Sequence, residues 1–275
     1  PRRAWMAAAV SGAMEKPKRE RLRKELSGLL TGRGAARILT AFSDVACVLI
    51  PELADCIGFV QYNPHHTMDV WQHTLHVLDN IEPEEPMRLA ALLHDIAKPE
   101  VFYFDKNLIG HFPGHAVAGA AMAETILKRL RYDAATVREV TELVRGHMLL
   151  LPASERAARR LLAQAGPEKT RRLLRLHRAD RMGKGTEEKA ALEAQVRAAE
   201  ALVEAVLQKE SCFSLRQLAL SGGDLIAQGI PQGPEIGEIL NDLLQRVIAG
   251  ELPNEKTTLL EEAVAFAQRN ACKKK

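Results

Sequence analysis

Almost from end to end, segments rich in Ala, Leu, Glu and Arg place apolar residues three and four positions apart, the repeat of one α-helical face. Strand-forming residues offer little competition. Aromatic residues make up only 4% of the chain, and β-branched residues rarely alternate with polar ones. The periodicity therefore predicts an all-α fold, a helical core with helices before it and a small helical tail after it. One stretch departs from the pattern. VFYFDKNLIGHF, residues 101 to 112, carries two short apolar and aromatic runs around Asp105, Lys106 and Asn107, which reads as a hairpin or irregular loop between helices.

Turn-forming residues divide the chain into four zones. Residues 1–66 read as two or three helices, broken near Gly32, Arg33 and Gly34 and again before Pro51, and ending in YNPHH. Residues 67–185 hold most of the histidines and the densest apolar helices. A long Ala/Glu-rich helix follows over 186–212, with Thr186 as its candidate N-cap. Residues 213–270 contain GG, GIPQG and LPN turns between short amphipathic helices, the pattern of a small tail domain.

Charge and cysteine content limit the setting. With 38 Lys and Arg against 35 Asp and Glu, the formal charge is +3, so binding to nucleic acid must come from local patches. Two such patches run from Lys16 to Lys24 and from Arg156 to Arg181. The four cysteines form no CxxC pair, which suits reduced thiols in a cytoplasmic protein. No run of 18 or more apolar residues is present, and residues 1–13, which loosely imitate a signal peptide, continue into a charged helical run.

The chemistry-bearing residues stand out by which helical face they occupy. In DVWQHTLHVLDNI, His73 is three residues after Val70 and four before Val77, so it faces inward, whereas His76 aligns with Gln72, Asp79 and Asn80 and faces water. In LLHDIAKPE, which reads as a buried helix stopped by Pro99, His94 is flanked by Ala90 and Ala97 and Asp95 lies about 100° further round. His115 opens a small-residue face with Ala118 and Gly119. His147 completes the stripe of Val140, Leu143 and Val144, and Asp180 follows Leu173 by seven and Leu176 by four. Any one such histidine alone is more often a hydrogen-bonded core residue. Six inward His and Asp residues on five helices are costly to bury unpaired, and a divalent metal removes that cost by accepting imidazoles and carboxylates together. A mixed His/Asp set without Cys suits one or two ions of Mn, Fe, Ni, Mg or catalytic Zn.

The order His73, His94-Asp95, Asp180 resembles the H…HD…D signature of the HD superfamily of metal-dependent phosphohydrolases. HHTMDVWQHTLHVLDN, LAALLHDIAKP, GHFPGHAVAGAAMAETILKRLR, LVRGHM and LHRADRMGKG are similar, more closely, to the HD domain within bacterial CCA-adding tRNA nucleotidyltransferases and poly(A)-polymerase-like relatives. ERLRKELSGLL and LALSGGDLIAQGIPQGPEIGEILNDLL resemble the same family's flanking regions, so the likeness runs over roughly residues 18 to 262. It implies that His73, His94, Asp95 and Asp180 hold one metal, and that His115 and His147 hold a second or contact phosphate. Lys98 resembles the lysine of HDxxK and would pair with a phosphate oxygen; the alternative is a solvated lysine at a helix end. His65, His66 and His111 are weaker candidates.

What the resemblance implies is hydrolysis of a phosphoester, with 2′,3′-cyclic phosphates, 2′-nucleotides or phosphorylated RNA ends as substrates, in tRNA 3′-end processing. Asp95, Lys98, His115 and His147 are its candidate catalytic residues. The chain contains no DxD pair, and 66 residues before the HD helix are too few for the family's nucleotidyltransferase head, so this chain alone is not expected to add nucleotides. The alternative is a tRNA-binding body and tail without activity of its own, serving such a head. Scarce aromatic residues then imply recognition of RNA by shape and backbone.

Overall fold

A computed structural model describes residues 16–63, 67–182, 186–209 and 214–273. His65, His66 and residues 1–13 lie outside them. The fold is all-α. In chain order the helices are α1 (Lys16–Thr31), α2 (Ala35–Ala41), α3 (Ser43–Leu49), α4 (Val70–Asp79), α5 (Glu85–Leu93), α6 (Lys98–Val101), α7 (His115–Arg129), α8 (Ala134–Gly146), α9 (Glu155–Ala165), α10 (Pro167–Met182), α11 (Thr186–Lys209), α12 (Gly222–Ala227), α13 (Pro234–Ile248) and α14 (Lys256–Lys273). Short 3₁₀ turns occupy Pro51–Cys56 and Leu215–Gln217, and one two-stranded ribbon joins β1 (Tyr103–Phe104) to β2 (Gly110–His111).

Two compact units divide the chain: Pro1–Leu150 with Arg172–Val196, and Leu151–Arg171 with Arg197–Lys275. The first holds a core rich in Leu, Val and Ala side chains from α1 to α5, α7, α8 and α10, with Met87, Leu89, Leu92 and Leu93 of α5 wholly buried at its centre. The second packs Ile239, Leu243 and Val247 of α13 against Leu225 of α12 and Leu259 and Ala263 of α14. Local chemistry sets the helix ends. Asp69 caps α4 by accepting from the Gln72 amide at 2.7 Å, Asp133 caps α8 by accepting from Ala135 and Thr136, and Ser221 with Asp224 closes a capping box on α12. Among the described residues no helix is long and apolar enough to cross a membrane.

The stretch LLHDIAKPE differs from the single buried helix that its apolar pattern predicts. Helix α5 ends at Leu93, residues 94–97 form tight turns, and α6 restarts at Lys98. Amide bonds of the i−3 kind, Ile96 to Leu93 at 3.3 Å and Lys98 to Asp95 at 3.0 Å, replace the α-helical ladder. The His94 ring takes up the carbonyl of Ala91 at 2.8 Å, one of those that a helix end leaves without a partner. The interruption thus lies at the HD dipeptide itself, upstream of Pro99.

The exceptional stretch 101 to 112 is a hairpin, with Tyr103 opposite His111 and Phe104 opposite Gly110. Asp105 folds its turn by accepting from the amides of Asn107 and Ile109 at 2.8 and 2.9 Å. The segment before α4 lies along the hairpin's other strand: the Gly110 amide donates to the Tyr62 carbonyl at 2.8 Å. Only a glycine permits that approach. A Cβ at 110 would collide with the Gln61 carbonyl oxygen and lie 2.7 Å from Phe102 Cε2. Gly110→Ala is therefore expected to cost about 1–3 kcal/mol; urea denaturation checks it, and an unchanged midpoint would show that residues 61–63 are not held by the hairpin.

A candidate metal centre at the helix ends

Five chain segments bring His73, His94, Asp95, His115, His147 and Asp180 together. His73 comes from the middle of α4, His94 and Asp95 from the end of α5, His115 from the first residue of α7, His147 from the residue after α8, and Asp180 from α10. His94 is fully buried and Asp95 is 2% exposed. The alternative of a solvated Lys98 does not hold. Lys98 is buried, its Nζ 2.7 Å from Asp95 Oδ2 and donating to Gln61 Oε1 at 2.8 Å.

Asp95 divides its two oxygens between two groups of histidines. Oδ2 lies 3.2 Å from His94 Nε2 and 3.7 Å from His73 Nε2. Oδ1 lies 3.4 Å from His115 Nε2 and 3.8 Å from His147 Nε2. Asp180 joins the first group, its Oδ1 accepting from His73 Nε2 at 2.8 Å and lying 3.8 Å from His94 Nε2. Two sets of convergent donors result, His73–His94–Asp95 and Asp95–His115–His147, each with its ligand atoms within 4.8 Å of one another.

Three of the histidines are aimed by one local device. The Nδ1 of His94 donates to the Ala91 carbonyl at 2.8 Å, that of His115 to Phe112 at 2.8 Å, and that of His147 to Val144 at 2.6 Å, each the residue three positions earlier. A neutral imidazole that spends its proton on Nδ1 presents a bare lone pair at Nε2, and an outer hydrogen bond of this kind is how metal-binding histidines are commonly oriented. The Nε2 atoms of His115 and His147 then face each other at 3.1 Å. Two lone pairs at that distance repel unless a proton or a cation lies between them. His94 Nε2 and Asp95 Oδ2, both buried, find no hydrogen-bond partner among the described residues; Lys98 approaches Oδ2 as an ion contact. This donor set fits a divalent metal, which would accept the lone pairs that the protein leaves unmatched.

The charges are strongly coupled. Burial opposes ionisation of Asp95, yet His94 and Lys98 outweigh it and hold the carboxyl well below the usual range. Burial likewise opposes ionisation of Asp180 and is outweighed by the hydrogen bond and charge of His73, so its pKa is also lowered. For His94 burial disfavours the imidazolium, but the Asp95 carboxylate prevails and raises the pKa. His147 goes the other way: burial and the charge of His94 push it down to about 4.

Two further residues complete the arrangement and were not among the candidates read from the sequence. Buried His177 donates from Nδ1 to the His147 carbonyl at 3.3 Å and accepts from Arg181 Nε at 2.7 Å, tying α10 to the segment that carries His147. Buried Gln61 joins Lys98 to the Met68 carbonyl. The sole sequence signal for His177 is its place three residues before Asp180 on an inward face. His111 stands at the rim, bonded to Asp105 at 3.1 Å. A cavity of about 220 Å³ opens onto Asp95, Lys98, His115, His147 and Asp180. A larger groove of about 520 Å³, beside Tyr132, Arg138 and Arg145, contains none of these groups.

The basic run from Arg156 to Arg181 is largely matched within the chain. Arg171 pairs with Glu168 and Glu204, Arg172 with Glu139 and Glu84, Arg175 with Glu82 and Glu84, and Arg156 with Glu251. Such pairs reduce what that run offers to phosphates.

Two outcomes follow from the buried charges. Lys98→Met leaves Asp95 without its cation and is expected to destabilise the metal-free protein by about 3–5 kcal/mol in urea; a loss under about 1 kcal/mol would mean that the pair is not buried in solution. In the metal-free protein, His147 is expected to stay neutral on acidification from pH 7 to 5, read from its imidazole NMR shifts. Its depressed pKa stabilises the fold above the ordinary histidine range near 6.5, and that contribution, about 3 kcal/mol, is lost as pH falls from there through about 4.

Comparison with known proteins adds the following. The family model for tRNA nucleotidyltransferase domain 2 matches residues 115–263. The CC-adding tRNA nucleotidyltransferase of Thermus thermophilus is 35% identical over 260 residues, covering 91% of this chain and 56% of that protein. The A-adding tRNA nucleotidyltransferase of Deinococcus radiodurans is 32% identical over 271 residues, covering 94% and 60%. A bifunctional uridylyltransferase/uridylyl-removing enzyme of Caulobacter vibrioides is 27% identical over 146 residues, covering 44% and 14%. The chain thus spans little more than half the length of its two tRNA nucleotidyltransferase relatives.

Proposed function

The chain belongs to the tRNA nucleotidyltransferase domain 2 family, and from that premise we propose that residues 67–185 form an HD-type domain hydrolysing a phosphoester, with RNA 3′ ends or 2′,3′-cyclic nucleotides as substrates. The observation that carries this reading is the division of one buried carboxylate between two sets of imidazole nitrogens. A relative whose name pairs uridylyl transfer with uridylyl removal is consistent with it.

His73, His94, Asp95 and Asp180 would hold a first ion, and Asp95, His115 and His147 would hold a second. When bound, such ions supply charge neutralisation for the phosphoester and an acidified water near neutral pH. Asp95, whose two oxygens face both sets, would be the ligand common to the two ions. Lys98, at the cavity wall beside Asp95, offsets charge developing on the phosphate. Burial keeps His147 neutral at pH 7, which suits a ligand and unsuits a proton donor. His115, at the cavity wall, would protonate the leaving oxygen when a single ion is bound and its Nε2 carries a proton in place of the lone pair.

The test is metal analysis of the purified chain after supplementation with Mn, Fe, Ni, Mg or Zn, together with hydrolysis of 2′,3′-cyclic AMP. The wild type is expected to retain one or two ions and to turn over. Asp95→Ala removes the ligand common to both sets and is expected to lower turnover at least about 100-fold. Metal retention should weaken on acidification, as protons compete with the ion for the imidazole nitrogens. A wild type that retains no ion under any supplement would overturn the hydrolase assignment.

Family membership favours a second reading, a tRNA-binding body without activity of its own. It is met by tRNA retention that weakens steeply with salt in a chain inert towards phosphoesters.

A further inference from the structure

Lys98 lies beside one oxygen and is bonded to another. Its Nζ is 2.7 Å from Asp95 Oδ2, but the angles there are not those of a hydrogen bond, and Oδ2 finds no hydrogen-bond partner among the described residues. The hydrogen bond that the ammonium does make goes to Gln61 Oε1, at 2.8 Å. Phe112 offers it a ring face, 5.2 Å from Nζ.

Gln61 is held firmly enough to set the direction of that ammonium. It is 1% exposed and stands outside the set of residues that line the cavity with Asp95 and Lys98. The two ends of its amide have partners of opposite kind: Nε2 donates to the Met68 carbonyl at 3.1 Å, and Oε1 accepts from Lys98. A carbonyl cannot donate and an ammonium cannot accept, so the amide has one workable orientation. Its backbone is tied down next door, where the Tyr62 carbonyl accepts from the Gly110 amide at 2.8 Å.

The consequence falls on Asp95. A buried ammonium has three hydrogens to place, and without Gln61 it would turn to its nearest other acceptor, Asp95 Oδ2. A charge-assisted bond formed there, in a low-dielectric interior, is strong, and an incoming cation would have to break it. With Gln61 in place the oxygen keeps its lone pairs, 3.2 Å from a His94 Nε2 that is likewise unmatched among the described residues. We propose that Gln61 is a positioning residue for the metal centre: it keeps the Lys98 ammonium from spending its hydrogens on Asp95 Oδ2, so that this oxygen stays available as a metal ligand with the lysine in place. Gln61 acts through Lys98 and touches neither ion nor substrate. The inference rests on the preceding reading in one respect, that an ion binds at Asp95; it does not require hydrolysis.

The test uses the full chain, stripped with chelator and titrated by calorimetry with Mn, Fe, Ni, Mg and Zn in turn; the ion that the wild type binds most tightly is then used for the variants. Gln61→Met, which keeps length and volume but loses both side-chain hydrogen bonds, should bind that ion about 10- to 150-fold more weakly, the worth of one hydrogen bond to a charged group. In a Lys98→Met background the same substitution should change the affinity less than about 3-fold, because no ammonium is left to redirect. Lys98→Gln, which removes the charge but keeps hydrogen-bond donors for Asp95, is a second background that should give the same result and serves where Lys98→Met does not fold. A Gln61 that merely supports the fold would weaken the ion equally with and without the lysine. Equal losses in the two backgrounds, or a loss under about 3-fold with Lys98 present, would overturn the positioning role and leave the metal centre standing. Hydrolysis of 2′,3′-cyclic AMP by the metal-loaded wild type is measured alongside. If the lysine-dependent loss is present and hydrolysis is absent, the positioning role stands and the hydrolase reading falls; a wild type that binds none of the five ions overturns both.

Discussion

A carboxylate buried in a helical core is among the costliest groups a protein can place there, and Asp95 is surrounded accordingly. Lys98 neutralises one side, and four imidazoles approach its two oxygens within 3.2 to 3.8 Å. Each partner carries a requirement of its own. Lys98 needs Gln61 to accept a hydrogen bond from its ammonium, which fixes the segment before α4. His147 needs its carbonyl and ring held, by His177 and Val144. The positions of α4, α5, α7, α8 and α10 relative to one another are those that satisfy this one group.

Helix ends serve the purpose better than helix faces. A side chain on a helix face is aimed by its backbone and by packing, whereas a residue at an end has a carbonyl three positions back within reach of its ring. His94 and His147 use the last carbonyls of α5 and α8, and His115 uses the turn before α7. One bond sets the tautomer and points Nε2 inward. Precision of this kind matters for a metal centre, in which ligand direction counts as much as distance.

The hairpin is the one β-ribbon among the described residues, and it brings different chemistry to the same cavity. Its rings are apolar where the histidines are polar and directional.

The amino-acid sequence by itself determined the all-α class, the breaks at Gly34 and before Pro51, the hairpin at 101–112 and the inward aim of His73, His94, His115, His147 and Asp180, because helical period and turn chemistry are local properties. Three matters were decided only in three dimensions. LLHDIAKPE has the apolar pattern of one continuous helix, but a buried carboxylate needs imidazole and ammonium partners from several directions, and a helix broken at His94 supplies room for them. Lys98 could have been solvated by its place near Pro99; burial and the Gln61 bond depend on a segment 37 residues away. The aromatic residues are sparse along the chain and dense in space, since Tyr62 meets Phe102 and Phe104 only when Gly110 lets two backbones close together. Contacts between residues far apart in sequence leave no periodic trace in it, and both the lysine's hydrogen bond and the aromatic cluster are made of such contacts.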